Sequence, residues 1–353
     1  MKTQCVVLGT SIILASLLAT AYASQDTIRP NGINSVGLTT FTGQPLNGQG
    51  QDIGMVEDDR PGKPAPAGPD NFQHSNSTII PNEVFLHTGP VVPNGAEIDD
   101  HAEWVAGVMI STDPINAMGV ATAANLHAAA FVGDLDIPSQ AAESNQFIAG
   151  RASGFVSAIN MSFVTPLAGN EVLDGNSLYT EYIDWSAKRY DVLQLQGGRE
   201  PVLAAGHSSA IDNYNGITVG SLAKDLTGMY TLVATGPNGN DYSENSYSVF
   251  NRTFVSLMAR GDDVQATGLG SIPTTVVGTS FATPHVTATV ALLQQYGQER
   301  FSAGDPKFPT EYRHHEVMKA VLLNSANKIK DDVRARSTEY LYQPAGSLVW
   351  TDQ

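Results

Sequence analysis

Short apolar runs of strand length alternate with helix-period segments from residue 52 to residue 329, and few architectures accept that alternation. Asp52–Glu57, Leu126–Val132, Ser157–Phe163, Pro201–Ala205 and Gly216–Leu222 read as strands. Helical spacing occupies His101–Ser111, Ser139–Ala149, Leu178–Leu193, Thr283–Tyr296 and Glu316–Ile329. Short buried strands separated by helices predict an α/β fold: a three-layer, mostly parallel sheet with helices on both faces. Active sites in such folds lie at the carboxyl ends of the strands. The 353 residues, 42% of them hydrophobic, supply a core for one large domain over 51–353.

The first fifty residues belong to something else. Lys2 is the only charge before Asp26, Val6 to Ala19 is an apolar run broken only by small residues, and Ala21-Tyr22-Ala23 follows. That order predicts a secretory signal peptide over 1–23, too short for a spanning helix, with the cut before Ser24. Residues 24–50, rich in Gly, Asn, Thr and Gln, read as an irregular lead-in, and the four prolines of 60–70 forbid a helix or a central strand there. The only cysteine, Cys5, lies in the signal, so the mature chain carries no disulfide and no thiolate metal site. Export without disulfides fits a bacterial secreted enzyme. A net charge of −16 argues against nucleic acid and anionic membranes as partners.

Chemistry concentrates at Gly278-Thr279-Ser280-Phe281-Ala282-Thr283-Pro284-His285-Val286. A helical run follows Ser280, which sets its hydroxyl near a helix N-terminus, where free N–H groups favour a developing negative charge. Pro284 is expected in the first turn, where a missing N–H costs little. The string resembles the nucleophile motif of the subtilisin-like serine peptidases, Gly-Thr-Ser-Met-Ala-(Ser/Thr)-Pro-His-Val, with Phe281 in place of Met. The resemblance makes Ser280 the nucleophile and His285 a structural residue of the helix.

A serine hydroxyl needs a base within hydrogen-bond reach. His101-Ala102-Glu103-Trp104-Val105-Ala106-Gly107 is similar to the family's His-Gly-Thr-His-Val-Ala-Gly and departs at Ala102, Glu103 and Trp104. The resemblance implies that His101 is the general base. The family's acid follows the first strand, and the matching stretch here is Ile53-Gly54-Met55-Val56-Glu57-Asp58-Asp59. The plainest register puts Glu57 at that position. The alternative, Asp58, would leave Glu57 at a buried strand position, which is costly without a partner. Ala158-Ile159-Asn160-Met161-Ser162-Phe163 resembles the family's Ile-Asn-Met-Ser-Leu-Gly strand, which implies that Ser162, Phe163 and Val164 line the substrate cleft.

The family's oxyanion asparagine stands in Ala-Ala-Gly-Asn. Leu203-Ala204-Ala205-Gly206-His207 is the similar stretch here, so His207 either replaces the amide as donor or marks weakened catalysis. The resemblance covers roughly residues 50 to 330. It implies a monomeric secreted endopeptidase acting on polypeptides, with no cofactor required for the chemistry and structural calcium allowed. Asp99-Asp100 and Asp262-Asp263 are the candidate carboxylates for that ion. The departures at Glu57, Trp104 and His207 define the alternative, an inactive binding protein on the same fold. About thirty residues separate the signal cut from the acid motif, fewer than the family's usual folding pro-domain needs, and the chain stops soon after its closing helix. His74, His87 and His127 read as surface or packing residues, and His314-His315 as a solvated pair without metal-ligand spacing.

Overall fold

The computed structural model describes residues 43–59, 61, 83–86, 99–113, 118–131, 136–150, 156–163, 165, 173–198, 210–224, 230–232, 234–235, 240–241, 255–268, 272–329 and 349–351. The signal segment, His74, His87, Val164 and Leu203–His207 lie outside them.

The centre of the molecule is a sheet whose core strands are parallel. They are β1 (Asp52–Asp58), β2 (Glu83–Leu86), β3 (Asn125–Phe131), β4 (Val156–Met161), β5 (Leu193–Gly197), β6 (Ile217–Lys224) and β10 (Val255–Arg260). Their spatial order is β10-β6-β5-β4-β1-β3-β2. The short β7 (Tyr230–Leu232) pairs antiparallel with β6, while β8 (Ala234–Thr235) and β9 (Asn240–Asp241) pair with each other. The hairpin β11 (Val264–Gly268) and β12 (Ile272–Val276) stands off the sheet, and β13 (Asn327–Ile329) with β14 (Val349–Thr351) closes its far edge.

Period-two alternation sends side chains to two cores. Ile53, Met55, Leu126 and Ala128 join Val105, Met109 and Phe281 on one face. Val56, Ala129, Phe131 and Ile159 meet Ile148 and Ile183 on the other. The first face carries α1 (Asp100–Ile110), α4 (Thr279–Ser302) and α5 (His315–Ser325); the second carries α2 (Ile137–Ala149) and α3 (Leu178–Tyr190). This is the three-layer arrangement predicted from the alternation. Among the described residues, no helix is long and apolar enough to cross a membrane.

Sequence order reverses at β1 and β4. The chain lays β2 and β3 on one side of β1, then β4, β5 and β6 on the other. A crevice opens at the carboxyl ends of the strands at such a point. Glu57 ends near it from β1 and Ser162 from β4.

Several boundaries differ from the sequence reading. Leu193 does not end the third helix. That helix stops at Tyr190 because Asp191 turns left-handed, with φ 55°, and Leu193 opens β5. The strand between β4 and β6 is therefore Leu193–Gly197, while Pro201–Ala205 lies outside the described residues. The last helix ends at Ser325, where Ala326 becomes extended with ψ 144°, and 327–329 form a strand instead of a further helical turn. α4 begins at Thr279, four residues earlier than read, so Pro284 is its sixth residue.

His314 and His315 are not a solvated pair. Asp191, 123 residues before His314, accepts a hydrogen bond from the His315 backbone N–H at 2.9 Å. Its two oxygens also lie 2.6 Å from His314 Nδ1 and 2.8 Å from His315 Nδ1. The clasp fastens the start of α5 to the end of α3. Partial burial works against ionisation of Asp191, but its bonds to His315 and His314 outweigh it and hold the carboxyl below the usual range. The same contact raises the His314 imidazole. A raised His contributes stability below its unfolded value and loses it as pH rises through the folded value. A lowered Asp contributes above its unfolded value and loses it as pH falls through the folded one. The two overlap between about pH 4 and 6.5. The melting-temperature difference between wild type and His314→Ala is expected to be largest in that window and to shrink above it; a difference flat from pH 4 to 9 would remove the clasp.

Candidate active site

The sequence-predicted residues that lie within the described structure arrive from β1, α1, the end of β4 and α4. β1 delivers Glu57 at its penultimate position, with only 1% of its surface exposed. Asp58, the last residue of the strand, is exposed. Asp99 caps α1 by accepting from the Ala102 N–H at 3.1 Å, and His101 follows in the first turn. Gly107 lets that helix lie close to β11, since a Cβ there would stand 3.1 Å from the Thr267 backbone nitrogen. His101 Nδ1 lies 3.4 Å from Glu57 Oε2. Of the two candidate carboxylates, Glu57 is the one whose oxygen sits beside the ring.

The other Glu57 oxygen is held by the sheet. Oε1 accepts from the Ser162 backbone N–H at 3.1 Å and from Asn160 Nδ2 at 3.4 Å. Burial pushes the Glu57 carboxyl up, while His101 and the Ser162 N–H pull it partly back down. Glu57 thus accepts from two donors on one oxygen and faces the imidazole with the other.

Ser280 is the second residue of α4, so its backbone N–H precedes the first intrahelical acceptor. Gly278, with φ 147°, makes the entry turn that a side chain would oppose. Pro284 has a larger effect than a first-turn proline. It removes the N–H that would have bonded the Ser280 carbonyl, and the Ser162 hydroxyl donates to that carbonyl instead, at 2.9 Å. In return the Ser280 hydroxyl donates to the Ser162 carbonyl at 3.1 Å. This reciprocal pair, with Asn160 Nδ2 on Ser162 Oγ at 2.9 Å, ties the end of β4 to α4. The spacing of the Pro284 and Ser162 motifs carried no sign of the bond.

Ser280, His101 and Glu57 line one cavity of about 410 Å³. Ser162 and Phe163 form its wall from β4, and Gly197-Gly198 its wall from β5. Phe163 packs edge-on against Phe131 at 4.6 Å, and Gln196 Nε2 donates to its carbonyl at 2.9 Å. β5 ends at this wall, and Gly206-His207 lie outside the described residues. His285 is fully buried inside α4, with Nδ1 2.7 Å from the Phe281 carbonyl.

A model of the subtilase family matches residues 87–340. The chain belongs to the subtilase family. It is a serine endopeptidase, and the chemistry of subtilases needs no cofactor. The match begins after β1, so Glu57 lies outside the residues that carry it. Solved subtilases show the same fold at low identity. A cold-adapted subtilisin-like serine proteinase is 19% identical, with a TM-score of 0.52 over 90% of this chain and 94% of its own. A prenylagaramide maturation protease is 16% identical, with a TM-score of 0.52 over 78% of this chain and 84% of its own. A patellamide maturation protease is 18% identical, with the same TM-score over 81% and 91%. Comparison with curated proteins gives no match.

Both acidic pairs suggested for calcium contribute a carboxylate to local structure. Asp99 is used in the α1 cap, and Asp263 faces Arg260 at 3.3 Å. Among the described residues, Asp191, His314 and Glu316 bring donor atoms within 4.8 Å of one another, at the amino end of β5 and away from the cleft. The clasp described above accounts for that grouping.

Proposed function

We propose that this subtilase is a secreted, monomeric endopeptidase that cleaves polypeptides through an acyl-enzyme on Ser280, with His101 as general base and Glu57 as the orienting acid. One observation carries the assignment: a buried carboxylate beside Nδ1 of the histidine that shares a cleft with Ser280. In the resting state the Ser280 hydroxyl donates to the Ser162 carbonyl. Turning about its Cα–Cβ bond directs it to His101 Nε2, which takes the proton as Oγ attacks the scissile carbonyl. Glu57 fixes the ring with Nδ1 protonated and stabilises the imidazolium. His101 then returns the proton to the leaving amine, and water repeats the sequence to release the acid.

The oxyanion takes the Ser280 backbone N–H as one donor. For the second donor we propose the His207 ring, in the connection from β5 to β6. The substrate backbone extends along Ser162, Phe163 and Val164 as an added strand. The Ser162 carbonyl, already engaged by a hydroxyl donor, supports that use. Secretion is supported by the charge and hydropathy pattern of residues 1–23.

The test is a fluorophosphonate probe on the mature chain beside Ser280→Ala. Labelling of wild type that disappears in the variant is expected. A folded wild type that stays unlabelled from pH 5 to 10 would refute the assignment. His207→Ala, assayed alongside, is expected to lower kcat by about 10²–10³; unchanged turnover would remove the ring from the oxyanion site.

A further inference from the structure

β4 and β5 run side by side as far as Met161 and Gln196 and part beyond them. β5 stays with β6: Gly197 pairs with Val219, and the Gly198 N–H donates to the Val219 carbonyl at 2.8 Å. The continuation of β4 turns its Ser162 N–H to Glu57 and its Ser162 carbonyl to the Ser280 hydroxyl. The cleft opens in this gap, with Ser162 and Phe163 on one side and Gly197 and Gly198 on the other. Successive carbonyls of an extended strand point to opposite edges, so the Phe163 carbonyl faces the side that β5 has left. A buried backbone carbonyl there needs a donor. The Gln196 side chain supplies it, with Nε2 2.9 Å from the Phe163 oxygen.

The other end of that amide sets it apart from ordinary packing. Gln194 lies two residues earlier on the same face of β5, and both ends of its amide are engaged. Its Oε1 accepts from Asn145 at 2.8 Å, and its Nε2 donates to Ser186 at 3.2 Å. Gln196 is equally buried, yet its Oε1 has no hydrogen-bond partner among the described residues. Turned over, the amide would set oxygen against oxygen, so the Phe163 carbonyl fixes its orientation. A buried acceptor left unpaired is unfavourable and calls for a reason. The reason here is the position of the Phe163 peptide.

We infer that Gln196 is a positioning residue for the substrate: it holds Phe163 extended beside the cleft, so that the strand edge through Ser162 keeps the direction along which a substrate backbone pairs. The inference rests on the endopeptidase reading above and adds to it a residue outside Ser280, His101 and Glu57 that sets how strongly the enzyme favours long substrates. An extended peptide pairs along that edge, whereas a single-residue ester does not reach past the Ser162 carbonyl. Gln196 therefore acts on long substrates and leaves the attack by Ser280 unaffected.

The ratio of kcat/KM for a tetrapeptide amide to that for a single-residue ester, measured on wild type, Gln196→Met and Gln194→Met, tests the role. Methionine keeps the length of the side chain and removes the donor. In Gln196→Met the peptide-to-ester ratio is expected to fall about three- to tenfold, mainly through the KM of the peptide. Its melting temperature is expected to stay close to that of wild type, because one unpaired buried oxygen replaces another. Gln194→Met should show the reverse, a lower melting temperature and an unchanged ratio. A folded Gln196→Met that labels with the fluorophosphonate and keeps the wild-type ratio would overturn the positioning role and leave the peptidase standing. Failure of both Gln196→Met and Gln196→Leu to fold would overturn it as well, since the amide would then be structural. A wild type that stays unlabelled would overturn both readings.

Discussion

Glu57→Gln is expected to lower kcat by about 10⁴ and at the same time to raise the melting temperature. The two effects have one origin. Glu57 is 1% exposed, and burial raises its pKa against the pull of His101 and the Ser162 N–H. A carboxyl whose folded pKa lies above its unfolded value favours folding while protonated. That contribution is lost as pH rises through the folded value, so at neutral pH the ionised side chain costs stability. An amide of the same shape still accepts from the Ser162 N–H and carries no charge to dehydrate. Its NH₂, however, would face His101 Nδ1 and hold the ring in the tautomer that cannot accept the serine proton. Steady-state kinetics and calorimetry on one preparation test both halves. The acid limb of the wild-type rate profile should also fall above the usual carboxylate range, near pH 4–5 for an unperturbed Glu, roughly. A variant that loses less than about tenfold in kcat, or that melts lower, would reject Glu57 as the buried acid.

The preference for Glu57 over Asp58 came from the two faces of a strand. A register that buried Glu57 without a partner was already the costlier one, and the structure brings His101 to the buried carboxylate. The sheet and its layers were readable for the same reason: periodicity reports which side of an element meets the core. Boundaries failed where one residue overrode the period. Asp191 and Ala326 each end a helix by a single dihedral change, inside sequences that remain apolar enough to continue it. The strand at Leu193–Gly197 was missed for the first of these reasons, since Gln194 and Gln196 disguise a strand that is buried throughout. Contacts between distant segments left no trace at all. Ser162 replacing the donor that Pro284 lacks, and Asp191 fastening His314, join positions 118 and 123 residues apart.

A third contact of that kind yields the other large effect. Trp104 and Phe281 are departures from the family's two best-kept motifs, and they touch. The Phe281 ring lies 5.4 Å from His101 and 6.3 Å from Trp104, tilted against both. Phe281 is 4% exposed, belongs to the core beneath α1, and packs against both the imidazole and the indole. Truncation by Phe281→Ala is expected to cost about 3–5 kcal/mol of stability. It should also lower kcat by about 10², because a general base that shifts by an ångström loses its alignment with the nucleophile. Phe281→Met, the family's own residue, should lose less than about 1.5 kcal/mol, since the thioether adapts to the gap. Kinetics well below the melting transition separate alignment from unfolding. If Phe281→Ala remains folded there and turns over at the wild-type rate, the ring is packing alone. If kcat falls with KM little changed and Phe281→Met restores it, the aromatic pair sets the position of His101.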